Sequence, residues 1–182
     1  MTVHVLVPIS TGFEEIEATT IIDVLRRAGI AVTVAGLTDG PVTGRSGITM
    51  LPDTPLDKAL GHPYEMIVLP GGQPNADTLR DDKRVITALQ KAHEAGTYVA
   101  AICAAPAALT RAGLLEHRKA TIYPGCEKNL PDGSFVPDRV VVEEKIITSR
   151  GPGTAMEFAL TLVSLLVGEE IAKKVAGALL AP

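Results

Sequence analysis

Short apolar runs alternate with segments of helical spacing along this chain, and the alternation restricts the folds open to it. Four runs have the composition of buried strands: 3–8, 31–35, 66–69 and 98–102. Segments with helical periodicity follow them, over 14–28, 81–95 and 104–112. Strands joined by helices in this order build a parallel sheet with helices on both faces. We therefore predict an α/β sandwich with a mostly parallel sheet.

The second half of the chain continues the pattern with shorter elements. Strands are predicted over 120–123, 140–142 and 145–149, and helices over 154–167 and 169–180. A glycine- and threonine-rich stretch has an edge strand or hairpin at 48–51, and 56–60 has room for one or two helical turns. No internal repeat, low-complexity tract or linker interrupts the chain, so a single domain over 1–182 is predicted.

Composition excludes several functional classes. The chain has no Trp, three Tyr and three Phe, so aliphatic residues must fill its core, as is usual for a parallel sheet covered by helices. The net charge is −4 and the basic residues are scattered, so no dedicated nucleic-acid surface is expected. The longest apolar stretch, 158–168, is too short to span a bilayer, so no membrane partner is expected either.

The two cysteines and the N-terminus bear on the compartment. The N-terminus lacks the charged region and the cleavage site of a signal peptide, so we expect a cytoplasmic protein with reduced thiols. Pairing between Cys103 and Cys126 stays open, because spacing alone does not decide it. No pair of Cys or His residues has metal-ligand spacing, so no metal site is predicted.

Cys103 is the strongest candidate for a working residue. Ligands of such sheets bind beyond the carboxyl ends of the strands, where the loops 10–17 and 70–75 and the turn at Cys103 should meet. The sequence AICAAP (101–106) places the cysteine between a strand and a helix, as in a nucleophile elbow. A helix start favours a thiolate, so a thiol pKa below ~8.5 is predicted. The alternative is a buried cysteine that packs as a small hydrophobe.

Glu17 is the predicted partner of Cys103. It lies near the start of the first helix, at the same end of the sheet, and an apolar run follows it, so its side chain can face inward. The acidic side chains of Glu14 and Glu15 are explained by their favourable interaction with the dipole at the start of the helix. A charged carboxylate would raise the pKa of a neighbouring thiol. A protonated Glu17 would instead donate a hydrogen bond to the sulfur, and the two groups would share one proton.

Backbone groups and one arginine complete the candidates. The turn PGG (70–72) exposes amides, and the N–H groups of Gly72 and Ala104 can form an oxyanion pocket near the sulfur. The alternative for this segment is a plain tight turn. Arg150, in SRGPG (149–153), could bind an anion or anchor a loop. None of the four histidines has an evident route to Cys103, so no Cys-His-acid triad is predicted; they are His4, His62, His93 and His117.

Five motifs together resemble the ThiJ/PfpI superfamily. They are EEIE (14–17), RRAGI (26–30), VLPGG (68–72), AICAAP (101–106) and TSRGPGT (148–154). The match runs in order along nearly the whole chain. It points to the branch that contains the human parkinsonism-associated protein deglycase and bacterial YajL.

This resemblance implies a flavodoxin-like α/β sandwich that forms a homodimer. It makes Cys103 the reactive, oxidation-prone residue, Glu17 its hydrogen-bonded partner, and Gly72 and Ala104 the backbone donors near the sulfur. It implies a cofactor-free glyoxalase or deglycase that acts on methylglyoxal, glyoxal or their early adducts with protein side chains. The family is also associated with oxidation sensing and chaperone activity, which gives an alternative function without turnover.

Tyr123 departs from the family pattern. The branch has a histidine that approaches the reactive cysteine, whereas IYPGC (122–126) has a tyrosine at that position. A phenol with a pKa near ~10 is a poor base at neutral pH, although it can donate a hydrogen bond, so slow turnover is expected. Cys126 belongs to the same segment and is expected near the pocket, but the family pattern gives it no role.

Overall fold

The computed structural model describes residues 2–181 and is built around a seven-stranded sheet. The strands of this sheet are β1 (His4–Ile9), β2 (Ala31–Gly36), β5 (Thr54–Pro55), β6 (Met66–Leu69), β7 (Tyr98–Ile102), β8 (Val140–Glu143) and β9 (Ile146–Ser149). Their order across the sheet is β5-β2-β1-β6-β7-β9-β8. Neighbouring strands are parallel, apart from the antiparallel pair of β8 and β9.

Helices cover both faces of the sheet. They are α1 (Glu15–Arg27), α2 (Leu56–Ala59), α3 (Asn75–Asp81), α4 (Lys83–Glu94), α5 (Pro106–Arg111), α6 (Ala155–Val167) and α7 (Glu169–Leu179). One face packs against α1, α6 and α7, and the other against α2 to α5. The predicted flavodoxin-like sandwich is therefore confirmed. Within residues 2–181, no helix is long and apolar enough to cross a bilayer.

The core is divided by the sheet because successive strand residues point to opposite faces. In β1, Val5 and Val7 pack on the side of α1 and α6, whereas Leu6 packs on the side of α2 to α5. The chain passes from the carboxyl end of β1 into α1, so the first turn of α1 lies over the edge of the sheet where β6 and β7 also end.

Two short strands form a separate antiparallel hairpin. They are β3 (Val42–Thr43) and β4 (Thr49–Met50), which realises the hairpin alternative for 48–51. Glu15 holds the hairpin on α1, because its Oε1 accepts hydrogen bonds from the amides of Ser46 (2.7 Å) and Ile48 (3.3 Å). Glu15 therefore has a structural contact beyond the helix dipole.

Two segments differ from the sequence predictions. The strand predicted over 120–123 is wrong, since a single isolated bridge joins Ala120 to Phe135. The side chain of Thr148 accepts the Thr121 amide (2.9 Å), where a strand would use a backbone ladder. Helix α3 was not predicted, because its sequence NADTLRD is short, mostly polar and without an apolar period.

Candidate active site

Cys103 lies directly after β7, in the turn that leads to α5. Its φ is +64°, a left-handed conformation that non-glycine residues rarely adopt and that costs about 1–3 kcal/mol. The Cys103 amide donates to the Ser149 carbonyl (2.9 Å), and the Cys103 carbonyl accepts from the Tyr123 amide (2.8 Å). The turn thus has the strained geometry of a nucleophile elbow, held by backbone hydrogen bonds on both sides.

The carboxyl group of Glu17 lies beside Cys103, and Gly71 packs against both residues. Glu17 is fully buried, and its Oε2 accepts a hydrogen bond from the Gly71 amide at 2.8 Å. A Cβ atom at position 71 would lie 2.6 Å from the Cβ of Cys103 and 2.8 Å from Glu17 Oε2, so only glycine fits there. The other carboxyl oxygen of Glu17 is buried without a hydrogen-bond partner among the described residues.

Burial changes the acidity of both groups. It raises the pKa of Glu17 to about 7, because a carboxylate out of water is unfavourable. Burial, together with the neighbouring charge of Glu17, raises the pKa of Cys103 to about 12. This direction is opposite to the lowering predicted from the sequence. The physical reason is that the sulfur is buried beside a carboxyl group, whereas the helix start that was expected to favour the thiolate lies only at Pro106.

Above about pH 7, Cys103 and Glu17 therefore form a pair that holds one proton between them. With the proton on sulfur, the carboxylate carries the charge. With the proton on Glu17, the sulfur is a thiolate and the net charge of the pair is the same. A carboxylate and a thiolate coexist only at much higher pH, because like charges at this separation repel. The pair can thus supply a nucleophile and a proton carrier together.

Two backbone amides, those of Gly72 and Ala104, are directed at the Cys103 sulfur. Against the dominant effect of burial, their hydrogen bonds act to lower the pKa of the thiol. Gly72 reaches this position with a φ of +86°, and a Cβ there would collide with the backbone of Gly12 and Glu14. The structure therefore brings both predicted donors together at the sulfur, where they can stabilise negative charge.

Asn75 connects the loops around the site and is not among the site residues predicted from the sequence. Its buried side chain accepts a hydrogen bond from the Ser10 amide (2.7 Å) and donates to the carbonyls of Pro70 and Gly71 (2.9 Å each). These bonds fix the end of β1 to the end of β6. The available signal was the position of an amide side chain directly after PGGQP (70–74), because Asn often bonds to nearby backbone.

Tyr123 lies at the rim of the site. Its amide donates to the Cys103 carbonyl, and its ring packs against Gly151, where a Cβ would lie 3.0 Å from the ring Cδ2. The residue is 46% exposed. The aromatic ring is therefore a partly solvated neighbour of the elbow.

Arg150 anchors a loop. Its guanidinium donates to the Pro137 carbonyl (3.3 Å) and lies over the Phe135 ring, 5.5 Å from the ring centroid. These contacts favour the loop-anchor alternative for Arg150.

Cys126 and Cys103 are both free thiols, so the two residues do not form the disulfide that the sequence left open. Cys126 is partly buried, and its amide donates to the Tyr123 carbonyl (2.9 Å). Partial burial, followed by the charge of Glu127, raises the pKa of its thiol. Within the part of the chain that the structure describes, no group of three or more Cys, His, Asp or Glu side chains is arranged to hold a metal ion.

Comparison with known proteins gives the family. The sequence profile of the DJ-1/PfpI family matches residues 3–165. The chain is 45% identical, over 98% of its length, to Protein DJ-1 homolog B of Arabidopsis thaliana and spans 41% of that protein. It is 35% identical to the glutathione-independent glyoxalase DJR-1.2 of Caenorhabditis elegans, with 86% of this chain and 84% of that protein covered. The solved structure of oxidized DJ-1 from Toxoplasma gondii superposes with a TM-score of 0.96 at 41% identity and covers 99% of both chains.

The profile and the structural likeness each cover most of the chain, and they agree with the five sequence motifs. The chain spans less than half the length of the Arabidopsis relatives that it matches, so the activities of those proteins as a whole do not pass to it directly. The chain belongs to the DJ-1/PfpI family.

Proposed function

We propose that the protein is a cysteine-dependent, cofactor-free glyoxalase that converts small 2-oxoaldehydes such as methylglyoxal to 2-hydroxy acids. Early adducts of these aldehydes on protein side chains are further substrates, which gives the protein a stress-protective role in the cytoplasm. The observation that carries the proposal is the buried Glu17 carboxyl group beside Cys103, with Gly71 packed against both. The similarity to a nematode protein named as a glutathione-independent glyoxalase supports it. Cys103 is 7% exposed, which suits a small substrate.

The reaction begins with the thiolate form of Cys103. Its sulfur forms a bond to the aldehyde carbon, C1, and the proton held by Glu17 passes to the aldehyde oxygen, giving a hemithioacetal. The Glu17 carboxylate then removes the C1 hydrogen as a proton and delivers it to C2, while the C1 hydroxyl proton moves to the C2 oxygen. C1 is thereby oxidised to a thioester as C2 is reduced to an alcohol, so no external redox agent is needed. Water hydrolyses the thioester, releases the 2-hydroxy acid and restores the thiol.

Backbone amides assist the steps that place negative charge on oxygen. The N–H groups of Gly72 and Ala104 are directed at the sulfur and can donate to the oxyanion that forms on attack. Removing one such donor from an acyl-transfer enzyme typically costs about 10²–10³ in kcat. A side-chain substitution leaves the backbone N–H group in place. The contribution of these two donors is therefore best tested by substitutions at Cys103 and Glu17.

The direct test is lactate formation from methylglyoxal by purified protein without glutathione. The wild type should form lactate, and Cys103→Ser should lose at least about a hundredfold of that rate, because the nucleophile is removed. If Cys103→Ser retained the wild-type rate, the proposal would be wrong.

Tyr123→His tests why turnover is expected to be slow. A histidine titrates near neutral pH and can accept a proton at the rim of the site, whereas a phenol cannot. We expect the substitution to raise the lactate-forming rate several-fold. An unchanged or lower rate would show that position 123 does not limit turnover.

A second candidate function is oxidation sensing, and the two amides at the sulfur favour it. Peroxide can transfer two oxygen atoms in turn to Cys103, releasing water each time and leaving a sulfinate. Its oxygens would accept hydrogen bonds from Gly72, Ala104 and protonated Glu17. Mass spectrometry after mild peroxide should find a gain of two oxygens on Cys103. A gain on Cys126 without one on Cys103 would rule the sensor out.

We also propose a homodimer through the face formed by α1 and the β3–β4 hairpin. Three large apolar side chains there, those of Ile16, Ile48 and Leu51, are each more than half exposed. The Ile48 amide bonds to Glu15, which places this residue beside the start of α1. Light scattering should give a dimer for the wild type and a monomer for Ile16→Asp with Ile48→Asp. A monomeric wild type at micromolar concentration would contradict the proposal.

A further inference from the structure

A large cavity lies between α4 and the sheet, on the face of the sheet opposite to the one against which Cys103 packs. Its volume is about 630 Å³. Leu6 of β1 and Ile67 of β6 form its floor, and the segment 60–64 and one face of α4 form its walls. The lining includes Thr97, directly before β7, whereas Cys103 directly follows β7. The cavity and the reactive cysteine are therefore separate sites.

The inner surface of the cavity is mainly apolar. Ala88 and Ala92 on α4 and Ala95, which caps the end of α4, are spaced four and three residues apart, so they share one helix face. Their small side chains leave space between α4 and the residues opposite, which include Leu60 and Tyr64. The space can therefore accept an apolar chain.

The outer edge of the cavity is positively charged. Lys83, Thr87 and Lys91 follow one another at four-residue spacing along α4. Neither lysine has a carboxylate partner within 4.0 Å among residues 2–181, and no Asp or Glu lines the cavity in that part of the chain. Arg84, by contrast, is bound by Asp57 (2.9 Å) and Asp82 (2.7 Å). The two lysines are thus the cations that remain for a ligand.

The shape of the cavity favours an elongated ligand. Its lining residues on and after α4 run from Lys83 to Ala95. At 1.5 Å per helical residue, this stretch is about 18 Å long. A flexible chain can contact the apolar face along this length, whereas a compact ring would fill only part of it.

We propose that this cavity binds a medium-chain fatty carboxylate. The alkyl chain lies on Ile67, Ala88 and Ala92, and the carboxylate lies against Lys83 or Lys91. Burial of the chain supplies the affinity, because it removes apolar surface from water. The positively charged lysines favour a negatively charged head group, since an ammonium in the same place would be repelled. The proposal is independent of the reaction at Cys103.

The first test compares three ten-carbon probes by NMR of the ¹⁵N-labelled protein: decanoate, decylammonium and 1-decanol, all below their micellar or solubility limits. Decanoate should saturably shift the amide signals of 60–67 and 83–97 and leave those around Cys103 in place. Decylammonium should bind at least about fivefold more weakly, with decanol between them. Shifts centred on Cys103, no saturable shifts, or equal binding of decylammonium would overturn the proposal.

The second test uses variants. Ala88→Phe should fill the cavity and abolish decanoate binding, and Lys83→Gln with Lys91→Gln should weaken it about threefold to tenfold. Lys174→Gln, on exposed α7, is the matched control and should bind as the wild type does. Circular dichroism checks the fold, and the lysine variant keeps the test valid if Ala88→Phe misfolds. Wild-type affinity in the double-lysine variant would overturn the charge selection.

Discussion

The two cysteines of this chain form backbone hydrogen bonds with the same residue, but their surroundings differ. Tyr123 donates its amide to the Cys103 carbonyl and accepts the Cys126 amide. Cys103 has a left-handed backbone and lies beside Glu17, whereas Cys126 has a φ of −102° and lies near Glu127 on a solvated turn. Burial raises the pKa of both thiols. What separates them is a buried carboxyl group that can hold the proton of Cys103.

The largest contrast should come from replacing each cysteine in turn. Cys103→Ser should lower lactate formation from methylglyoxal by at least about a hundredfold, because the substitution removes the thiolate nucleophile. Cys126→Ser should stay within about twofold of the wild type. A large loss in Cys126→Ser, with folding intact by circular dichroism, would remove the distinction between the two cysteines.

Glu17→Gln should make the folded protein more stable at alkaline pH. The pKa of Glu17 is raised to about 7 in the folded state, above its ordinary value near 4.5, so the folded state binds the extra proton between these values. Wild-type stability from this group is present at low pH and is lost as the pH rises through about 7, by up to about 3 kcal/mol.

Glutamine carries no charge, so it escapes that loss and still accepts the Gly71 amide. Urea unfolding at pH 5 and pH 8 measures the effect, with the pH 5 comparison as the control. The free energy of unfolding of Glu17→Gln should exceed that of the wild type by more at pH 8 than at pH 5. The same difference at both values would mean that the carboxyl group titrates normally.

Gly71→Ala should distort only the packing around Cys103. The added Cβ would press on the Cβ of Cys103 and on Glu17 Oε2, so we expect a loss of about 1–3 kcal/mol in unfolding free energy and slower lactate formation. Gly177→Ala in α7 is the matched control, since a Cβ there meets open space; it should stabilise the protein by about 0.5–1 kcal/mol. Equal behaviour of the two variants would contradict the close approach at residue 71.

Asn75→Ala should give the smallest change, about 1–2 kcal/mol of destabilisation, because it leaves the buried Ser10 amide without its partner. It should also slow Cys103 alkylation, through a less ordered loop at Gly71, and leave Cys126 alkylation unchanged. Equal effects on the two cysteines would make Asn75 a general contributor to stability.

The fold was largely predictable because apolar runs bounded by turn residues are local signals. Met66–Leu69 and Tyr98–Ile102 were predicted with the bounds that the structure has. The segment 120–123 has the same apolar character, but Thr148 takes its amide hydrogen bond, and such a distant partner is invisible in one sequence. Helix α3 was missed because its stability comes from contacts made by Leu79 and Asn75 with the rest of the fold.

The residues of the site were predictable from the sequence, whereas their pKa values were less so. The elbow motif indicated Cys103, and the inward position on α1 indicated Glu17. The direction of the thiol pKa was not predictable, because it depends on burial and on the approach of α1 to β7, both set by tertiary packing. The cavity beside α4 was also missed, since Ala88 and Lys91 become parts of one surface only when α4 packs against the segment 60–64.

The shared proton is tested most directly by the rate of Cys103 alkylation as a function of pH, measured in a Cys126→Ser background with and without Glu17→Gln. With Glu17 present, the rate should rise in a step near pH 7, where the pair loses its first proton. With Glu17→Gln, that step should disappear and the rate should rise only above the ordinary thiol pKa of ~8.5. The same pH profile in both proteins would contradict the account.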